Sequence, residues 1–516
     1  MADSMTNPHC YPEGCVFNSL DDIAGKKVTV MGLGLNGGGE ACVKFFLQHG
    51  AFVTVTDMKN AEQLSPTLNR LNADCSVDKS RLTYVLGQHR IEDFENADCV
   101  IKNPGVKYEG NKFLAAAKAI ETDISIFLRF TKAPIIAVTG SKGKSSTVSA
   151  IHYGLQKAGF TSFLGGNITV SPLTFLDQTN EITPVVLELS SWQLRDLRGR
   201  KALKPKIAVI TKTVPDHQNF YGSMKAYIAD KRLIYADQTK SDYTILDADA
   251  DGYLTECEEP KQNCTCWGDD FATETKGTVL RYSRKPFAKE TDGSFQNTDA
   301  NGRHGYVHLN GTTECVMDEL AVPGTHNRIN VLNAGLVMRL LGISASDTKQ
   351  ILESWGGIEH RLEFFHEWTT AGGAQVRFYN DSAATVPEAA VAAASSFTQS
   401  ANVVLLTGGT DKQLDFAPLA EYLSTQQKKE KSALSVLLLA GTGTDKLTAL
   451  LEEKQTAFTA PYTSLAEMLD VVRAKLDSCT VNTTVVFSPG ATSFGMFANE
   501  FDRGNKFKAA VKELFK

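Results

Sequence analysis

Long apolar runs are missing from this chain of 516 residues. Stretches such as 436–440 are far too short to span a bilayer, and the opening fifteen residues are polar, without the apolar segment of a secretory signal. Cysteine is scarce: 10 in all, too dilute for a disulfide scaffold and suited to a reducing compartment. Cys257, Cys264 and Cys266 lie near one another but lack paired C-x-x-C spacing, which argues against a metal site among them. Neither charge sign dominates. Lys and Arg total 53 against 59 Asp and Glu, and a net charge of -6 gives no general case for nucleic acid or an anionic membrane. No fixed-period repeat or low-complexity tract occurs, so length is the guide, and it suggests about three domains. The expectation is a soluble cytoplasmic protein.

What the chain does have is a shortened phosphate loop. Ile135-Ile136-Ala137-Val138 runs into Thr139-Gly140-Ser141-Lys142-Gly143-Lys144-Ser145-Ser146-Thr147. The apolar residues predict a buried strand, the glycines a turn, and the continuation a helix. That order aims backbone N–H groups and a helix N-terminus at an anion, with the Lys144 ammonium above it. A hydroxyl of Ser145 or Ser146 stands where a magnesium ligand belongs. The spacing is G-x-x-G-K-S, not G-x-x-x-x-G-K-S, and a glycine turn with a solvated lysine is the plainer alternative.

Upstream, 27–31 reads as a buried strand, followed by Gly32-Leu33-Gly34-Leu35-Asn36-Gly37, a helix over 40–49 and a strand over 52–56 that ends at Asp57. A G-x-G-x-x-G turn with an acidic residue at that distance fits a dinucleotide. It fits equally any nucleotide whose ribose or base meets Asp57. Another strand, 99–102, ends in Asn103-Pro104-Gly105, at the strand edge where ligands gather in open α/β sheets. A second unit starts near Asp123, with apolar strands at 185–189 and 207–211. Residues 249–315 are polar and weakly periodic, and are expected to form a peripheral excursion with short strands. A third unit, from near Ile358, alternates strands (403–406, 436–439, 485–487) with helical stretches such as 464–476. The expected fold is α/β: three consecutive α/β domains over 1–122, 123–357 and 358–516.

Several polar clusters sit at predicted strand ends. Glu188 closes the 185–189 strand, and period-two alternation puts Glu188 and Ser190 on one side, where a carboxylate can hold magnesium. Asp216-His217 follows the 207–211 strand on the same presumed ligand edge, though a lone histidine is more often structural. Lys231 lies in the helical run 225–236, where a solvated helix face explains it adequately. Asn327 and Asn330 are three apart at a helix expected from Val331 onward; Asn327 is either an N-cap or, with Asn330, a reader of base or phosphate. Arg361 follows Gly356-Gly357 and is read either as a ligand contact or as half of a surface ion pair of little energetic value. The loops 408–412 and 488–493 offer small residues and donors that could clasp a carboxylate, or are ordinary turns.

Taken in order, GLGLNG (32–37), NPGV (103–106), TGSKGKSST (139–147), GGNI (165–168), ELSSWQL (188–194), Asp216-His217 with Lys231, GTHN (324–327) with Asn330, EHRLE (359–363), NDSAAT (380–385), GGTDK (408–412) and SPGATSF (488–494) span the whole chain. This series resembles the Mur ligase family. Within it, GLGLNG and ELSSWQL favour the members that add D-glutamate to UDP-N-acetylmuramoyl-L-alanine in peptidoglycan precursor synthesis. The resemblance implies Rossmann-like outer domains and a central ATP-binding domain of phosphate-loop type, with ATP and Mg2+ as cofactors, in a monomer needing neither nucleic acid nor membrane. Leu35, Asn36, Asp57, Met58, Lys59 and Asn103 would frame the uridine nucleotide, and Asn167 and His217 the muramoyl part. Gly140, Ser141, Lys142, Gly143, Lys144, Ser145 and Ser146 would hold the ATP phosphates, with Asn327, Asn330 and Arg361 serving the rest of ATP. Glu188, Asp216 and His217 would organise magnesium and the reacting carboxylate, Ser145 and Lys231 would join in holding metal, Lys231 as a carbamate, and Lys144, Glu188, His217 and Lys231 would carry catalysis. Thr385, Lys412 and Ser493 would hold D-glutamate.

Two departures stand out. Ala383 replaces the lysine usual in that motif, and Glu500 stands where an aromatic residue usually packs beside the acceptor, a place Phe501 or Phe497 could fill by a small shift. The alternatives are a sister Mur or folylpolyglutamate-type ligase with another acceptor, or, because of Ala383, a non-catalytic nucleotide-binding regulator.

Overall fold

In the computed structural model, residues 17–299, 302–397, 400–429 and 434–516 are described. They fall into two compact units: the chain up to Asp318 together with Ile329–Leu352, and Glu319–Arg328 together with Glu353–Lys516. Among the described residues, no helix is long and apolar enough to cross a membrane.

The first unit carries two sheets. Strands β1 (Lys27–Met31), β2 (Phe52–Asp57), β3 (Leu82–Leu86), β4 (Cys99–Lys102) and β5 (Ile120–Glu121) form an all-parallel sheet in the order β3-β2-β1-β4-β5. Val28, Val30 and Met31 of β1 are buried, as expected for a strand covered on both faces. The chain winds to one side of β1 and then to the other, so a crevice opens at the C-terminal end of β1.

The second sheet has nine strands. These are β6 (Ile135–Thr139), β7 (Phe163–Gly166), β8 (Val185–Glu188), β9 (Ile207–Ile210), β10 (Tyr243–Asp247), β11 (Thr278–Ser283), β12 (Gly293–Asp299), β13 (Gly302–Leu309) and β14 (Thr312–Met317). Their order is β14-β13-β12-β11-β10-β9-β6-β8-β7, with β13 alone running against the others. Every residue of β6 is buried. Here too the chain reverses direction at β6, with β7 and β8 on one side and β9 on the other. The phosphate loop therefore leaves the sheet at a switch point.

In the second unit, β15 (Glu363–Thr369), β16 (Gln375–Asn380), β17 (Asn402–Thr407), β18 (Leu434–Leu439), β19 (Thr459–Tyr462) and β20 (Thr483–Phe487) are ordered β15-β16-β20-β17-β18-β19, with β15 alone antiparallel. Three neighbours, β16, β20 and β17, release their following loops at one edge.

Two sequence expectations change. The 249–315 stretch is no peripheral excursion, since its strands β11 to β13 and the adjoining β14 continue the central sheet from β10. The turn between β13 and β14 is Asn310-Gly311, with φ of 52° and 75°, the left-handed pair that a two-residue hairpin requires. The helix expected from Val331 onward begins at Thr325 and runs to Leu340, which places Asn327 inside its first turn, not at its cap. The Asn327 amide instead donates to Pro323 O at 2.7 Å.

Candidate active site

The crevice of the first sheet is built around Asp57. Its two carboxylate oxygens accept the N–H groups of Gly34 (3.1 Å) and Lys59 (2.9 Å), so Asp57 ties the glycine turn to the end of β2. On either side Leu35 and Met58 remain 43% and 64% exposed, large apolar groups at a loop edge where a planar ring can lie. Asn103 faces the turn from β4, its Cβ 3.2 Å from where a side chain on Gly32 would begin. Gly37, at φ 86°, opens the helix Gly38–Gln48, and a Cβ there would stand 3.5 Å from Thr169 O. The first glycine turn thus meets the 165–169 loop of the central sheet.

Through that loop the two crevices connect. Asn167 donates from Nδ2 to Glu188 Oε1 at 2.8 Å. Glu188 is buried, and its Oε2 has no hydrogen-bond partner. An unpartnered buried carboxylate oxygen at a strand end suits a hard cation, whereas a neutral site would leave it uncompensated. Ser190 does not share this role: its hydroxyl caps the helix Ser191–Asp196 in a reciprocal bond with Gln193.

In the phosphate loop, the N–H groups of Ser141 and Lys142 both bond Lys212 O (2.9 and 3.2 Å), while Ser141 Oγ donates to Val214 O. These amides anchor the loop to the end of β9. The donors left for an anion belong to Lys144, Ser145 and Ser146, the first turn of the helix Lys144–Lys157, which has no earlier carbonyls to bond. Gly143 precedes them at φ 95°, and a Cβ there would meet Asn330 Oδ1 at 2.3 Å. Gly143→Ala should therefore cost about 1–2 kcal/mol from the left-handed backbone alone and also displace Asn330. The expected result is a lower melting temperature with weaker nucleotide binding. Unchanged melting and unchanged binding would contradict this loop geometry.

Two lysines converge on one carbonyl. Lys144 Nζ donates to Gly140 O (2.9 Å) and Ser141 O (3.1 Å), and Lys231 Nζ donates to the same Gly140 O at 2.8 Å. Burial lowers the Lys144 pKa, with Glu188 and Asp216 opposing. Burial also drives Lys231 well below the ordinary lysine value, and the neighbouring Lys144 charge pushes the same way. Lys231 is thus no solvated helix charge but a buried amine whose charged form is disfavoured. Tyr227, four residues earlier on the same helix, places its ring 4.3 Å beneath Lys231 Nζ and its hydroxyl 3.0 Å from Ser141 Oγ. Sequence reading passed over Tyr227, although its i,i+4 spacing from Lys231 was the available signal. Asp216 pairs with Lys142 at 3.2 Å, and His217, at φ 52°, sits 5.0 Å from the Trp192 ring.

A buried ion pair was also missed. Lys102 and Asp196 meet at 2.9 Å, joining β4 to the helix Ser191–Asp196, and burial raises the Asp196 pKa to about 6 although Lys102 opposes it. Lys102 also donates to Asn103 O and Val106 O, which fixes the NPGV turn.

In the second unit the loops after β16, β20 and β17 are laced together. Ser488 donates to Asp381 at 2.7 Å, Gly490 N bonds Ala384 O, and Thr410 pairs with Thr492. Burial raises Asp381 to about 6. Of the residues expected there, Ser493 is buried, Thr385 half-buried and Lys412 exposed; Arg361 is exposed too. Ala383 spends its N–H on His360 O. Phe501 is exposed and lies 5.3 Å from the His360 ring, whereas Phe497 packs on the core beneath. Arg503, invisible to sequence reading, is fully buried and donates to Ser382 O (2.8 Å) and Ala491 O (3.0 Å), bracing two of the loops.

Comparisons to known proteins identify the family. Residues 138–338 match the family described as the Mur ligase middle domain, and residues 26–126 the Mur ligase MurD-like N-terminal domain. The UDP-N-acetylmuramoylalanine–D-glutamate ligase of Treponema pallidum (strain Nichols) is 42% identical, over 96% of this chain and 98% of its own. Its counterpart in Borreliella burgdorferi (strain ZS7) is 36% identical, over 96% and 99%. Among solved structures, the UDP-N-acetylmuramate-alanine ligase MurC of Thermotoga maritima superposes with a TM-score of 0.52 at 18% identity, covering 95% of this chain and 99% of its own, a likeness of fold. With such identity along nearly the whole of both sequences, the chain belongs to the Mur ligase family.

Proposed function

We propose that the protein is an ATP-dependent amide ligase that joins D-glutamate to UDP-N-acetylmuramoyl-L-alanine in peptidoglycan precursor synthesis. The observation carrying this reading is the continuity of two switch-point crevices in one unit, from Asp57 and Gly37 through Asn167 to Glu188 and the phosphate loop. A carboxylate is a poor acylating agent. Its oxygen attacks the γ-phosphorus of ATP, ADP leaves, and the acyl phosphate is then opened by the amine of the acceptor, releasing phosphate. The protein's part is positioning and charge neutralisation.

In this reading Leu35, Asn36, Met58, Lys59 and Asn103 bind the uridine nucleotide on a turn set by Asp57, and Asn167 and His217 orient the muramoyl arm. The free amides from Lys144 to Ser146, with the Lys144 ammonium, take the phosphates. Ser141 and Lys142 set the loop's shape, Asn330 supports Gly143, and Asn327 and Arg361 serve ATP. Glu188, Ser145 and His217 would hold Mg2+, which supplies charge neutralisation on the phosphates when bound. The deprotonated Lys231 amine adds carbon dioxide, forming an N–C bond and releasing a proton. Burial disfavours either charge, so the carbamate anion would rely on the neighbouring Lys144 ammonium and the metal for compensation. The division at 1–122, 123–357 and 358–516, a monomeric state and a cytoplasmic setting complete the proposal.

Phosphate release in the presence of UDP-N-acetylmuramoyl-L-alanine tests it. D-glutamate should trigger turnover, and L-glutamate, neutral or basic amino acids should not. Turnover with one of those instead would remove the D-glutamate assignment and leave the ligase chemistry, while nucleotide binding without any turnover would mark a regulator.

Thr385, Lys412 and Ser493 are placed on the acceptor carboxylates. A charge-assisted hydrogen bond is worth about 1.5–3 kcal/mol, and the exposure of Lys412 points to the low end. Lys412→Ala should raise KM for D-glutamate about tenfold with KM for ATP nearly unchanged; equal effects on both would move Lys412 out of the acceptor site.

A further inference from the structure

The strands that extend the central sheet carry a cluster for which the ligase reaction has no use. His304 lies on β13, Cys315 on β14, and Asp318 directly after β14. A bulge between Gly305 and Tyr306 pairs Gly305 with Met317 and Tyr306 with Cys315, leaving Val316 as the extra residue. His304 and Tyr306 share a face by the strand's period of two, and Cys315, opposite Tyr306, shares it as well. The bulge shift brings Asp318 level with His304.

Three different donor atoms meet there. Asp318 Oδ1 lies 2.5 Å from His304 Nδ1 and 3.3 Å from Cys315 Sγ. The three donor atoms all lie within 4.8 Å of one another. The supports around them are equally specific. Lys349, from the helix Ala345–Glu353, pairs with the other oxygen, Oδ2, of Asp318. Asp299 lies 3.4 Å from the far ring nitrogen of His304, Nε2. A carboxylate on the second nitrogen orients the imidazole, as it does behind metal-bound histidines, and a metal ion would replace the proton that Nδ1 shares with Asp318. A thiolate, an imidazole and a carboxylate oxygen together suit zinc rather than magnesium or calcium.

We infer that His304, Cys315 and Asp318 form a zinc-type transition-metal site, supported by Asp299 and Lys349 and open to water at a fourth position. Binding exchanges the Cys315 thiol proton and the proton shared by His304 Nδ1 and Asp318 for the metal, releasing both to solvent. The bound ion clasps the bulged hairpin and, through Lys349, the helix Ala345–Glu353. The role is structural and separate from the phosphate-loop chemistry.

The test uses the full-length protein, freed of metal by a chelator that is then removed, and titrated with Co2+ in excess Mg2+. A near-ultraviolet thiolate-to-cobalt absorption should appear, saturate at one equivalent, and be abolished by Zn2+. Cys315→Ser should lose that band, whereas Cys264→Ser should keep it. Asp299→Asn should weaken Co2+ binding by about 10–100-fold. Should Cys315→Ser fail to fold by circular dichroism, His304→Gln decides: a weakened band supports the site, and an undiminished one overturns it. Absence of the band in the unaltered protein, or its survival in folded Cys315→Ser, would reduce the cluster to an ion-paired clasp.

Discussion

Lys144→Ala should lower turnover by about two to three orders of magnitude, the scale on which a single preorganised charge or donor acts on a developing anion. The loss should fall on kcat, because the ammonium's interaction strengthens as charge builds on the transferring phosphoryl group. The fold should survive. In the structure the lysine bonds only carbonyls of its own loop, Gly140 O and Ser141 O, and links no distant elements. Circular dichroism and phosphate release, measured together, check both halves. Near-normal turnover in a folded variant would remove the loop from ATP chemistry.

Lys231→Ala carries the second large effect. A carbamate forms only from the neutral amine, and burial together with the Lys144 charge shifts Lys231 toward that form. The variant should be inactive for want of an anion, not for want of a cation. Small carboxylates supplied in solution, acetate or formate, should therefore restore part of the activity, whereas ammonium ions should not. Rescue by ammonium, or full activity with no added acid, would return Lys231 to a plain hydrogen-bonding role on Gly140 O.

The legible parts of the molecule are those with a local physical signature. Strands β6, β8 and β9 are covered on both faces and read as unbroken apolar runs. The phosphate loop announces itself because only glycine tolerates the close approaches at positions 140 and 143. Glu188 was legible from its apolar lead-in. The weakly periodic strands were not: β12, Gly293–Asp299, is largely polar, and its place in the sheet comes from its neighbours, not its own residues. Even so, Asn310-Gly311 was a hairpin signal within reach. Lys102 with Asp196, and Arg503 under its two loops, join residues remote in sequence, and no local pattern encodes a buried charge whose partners lie elsewhere. The start of the helix Thr325–Leu340 was misjudged because Asn327 reads as a cap, whereas its amide turns back to Pro323.

The strand order of the second unit bears on how the chain is made. β20 is the last strand to be synthesised, yet it lies in the middle of its sheet and bonds β16 on one side and β17 on the other. Until it emerges from the ribosome, that sheet is only a hairpin of β15 and β16 and a separate ribbon of β17, β18 and β19, each with an open edge. The first unit has all its strands long before this point and can fold as the chain grows. The loop 488–493, which laces the three strand ends together, is the direct continuation of β20. A nascent chain stalled short of residue 483 therefore carries a finished phosphate loop and an unassembled second unit.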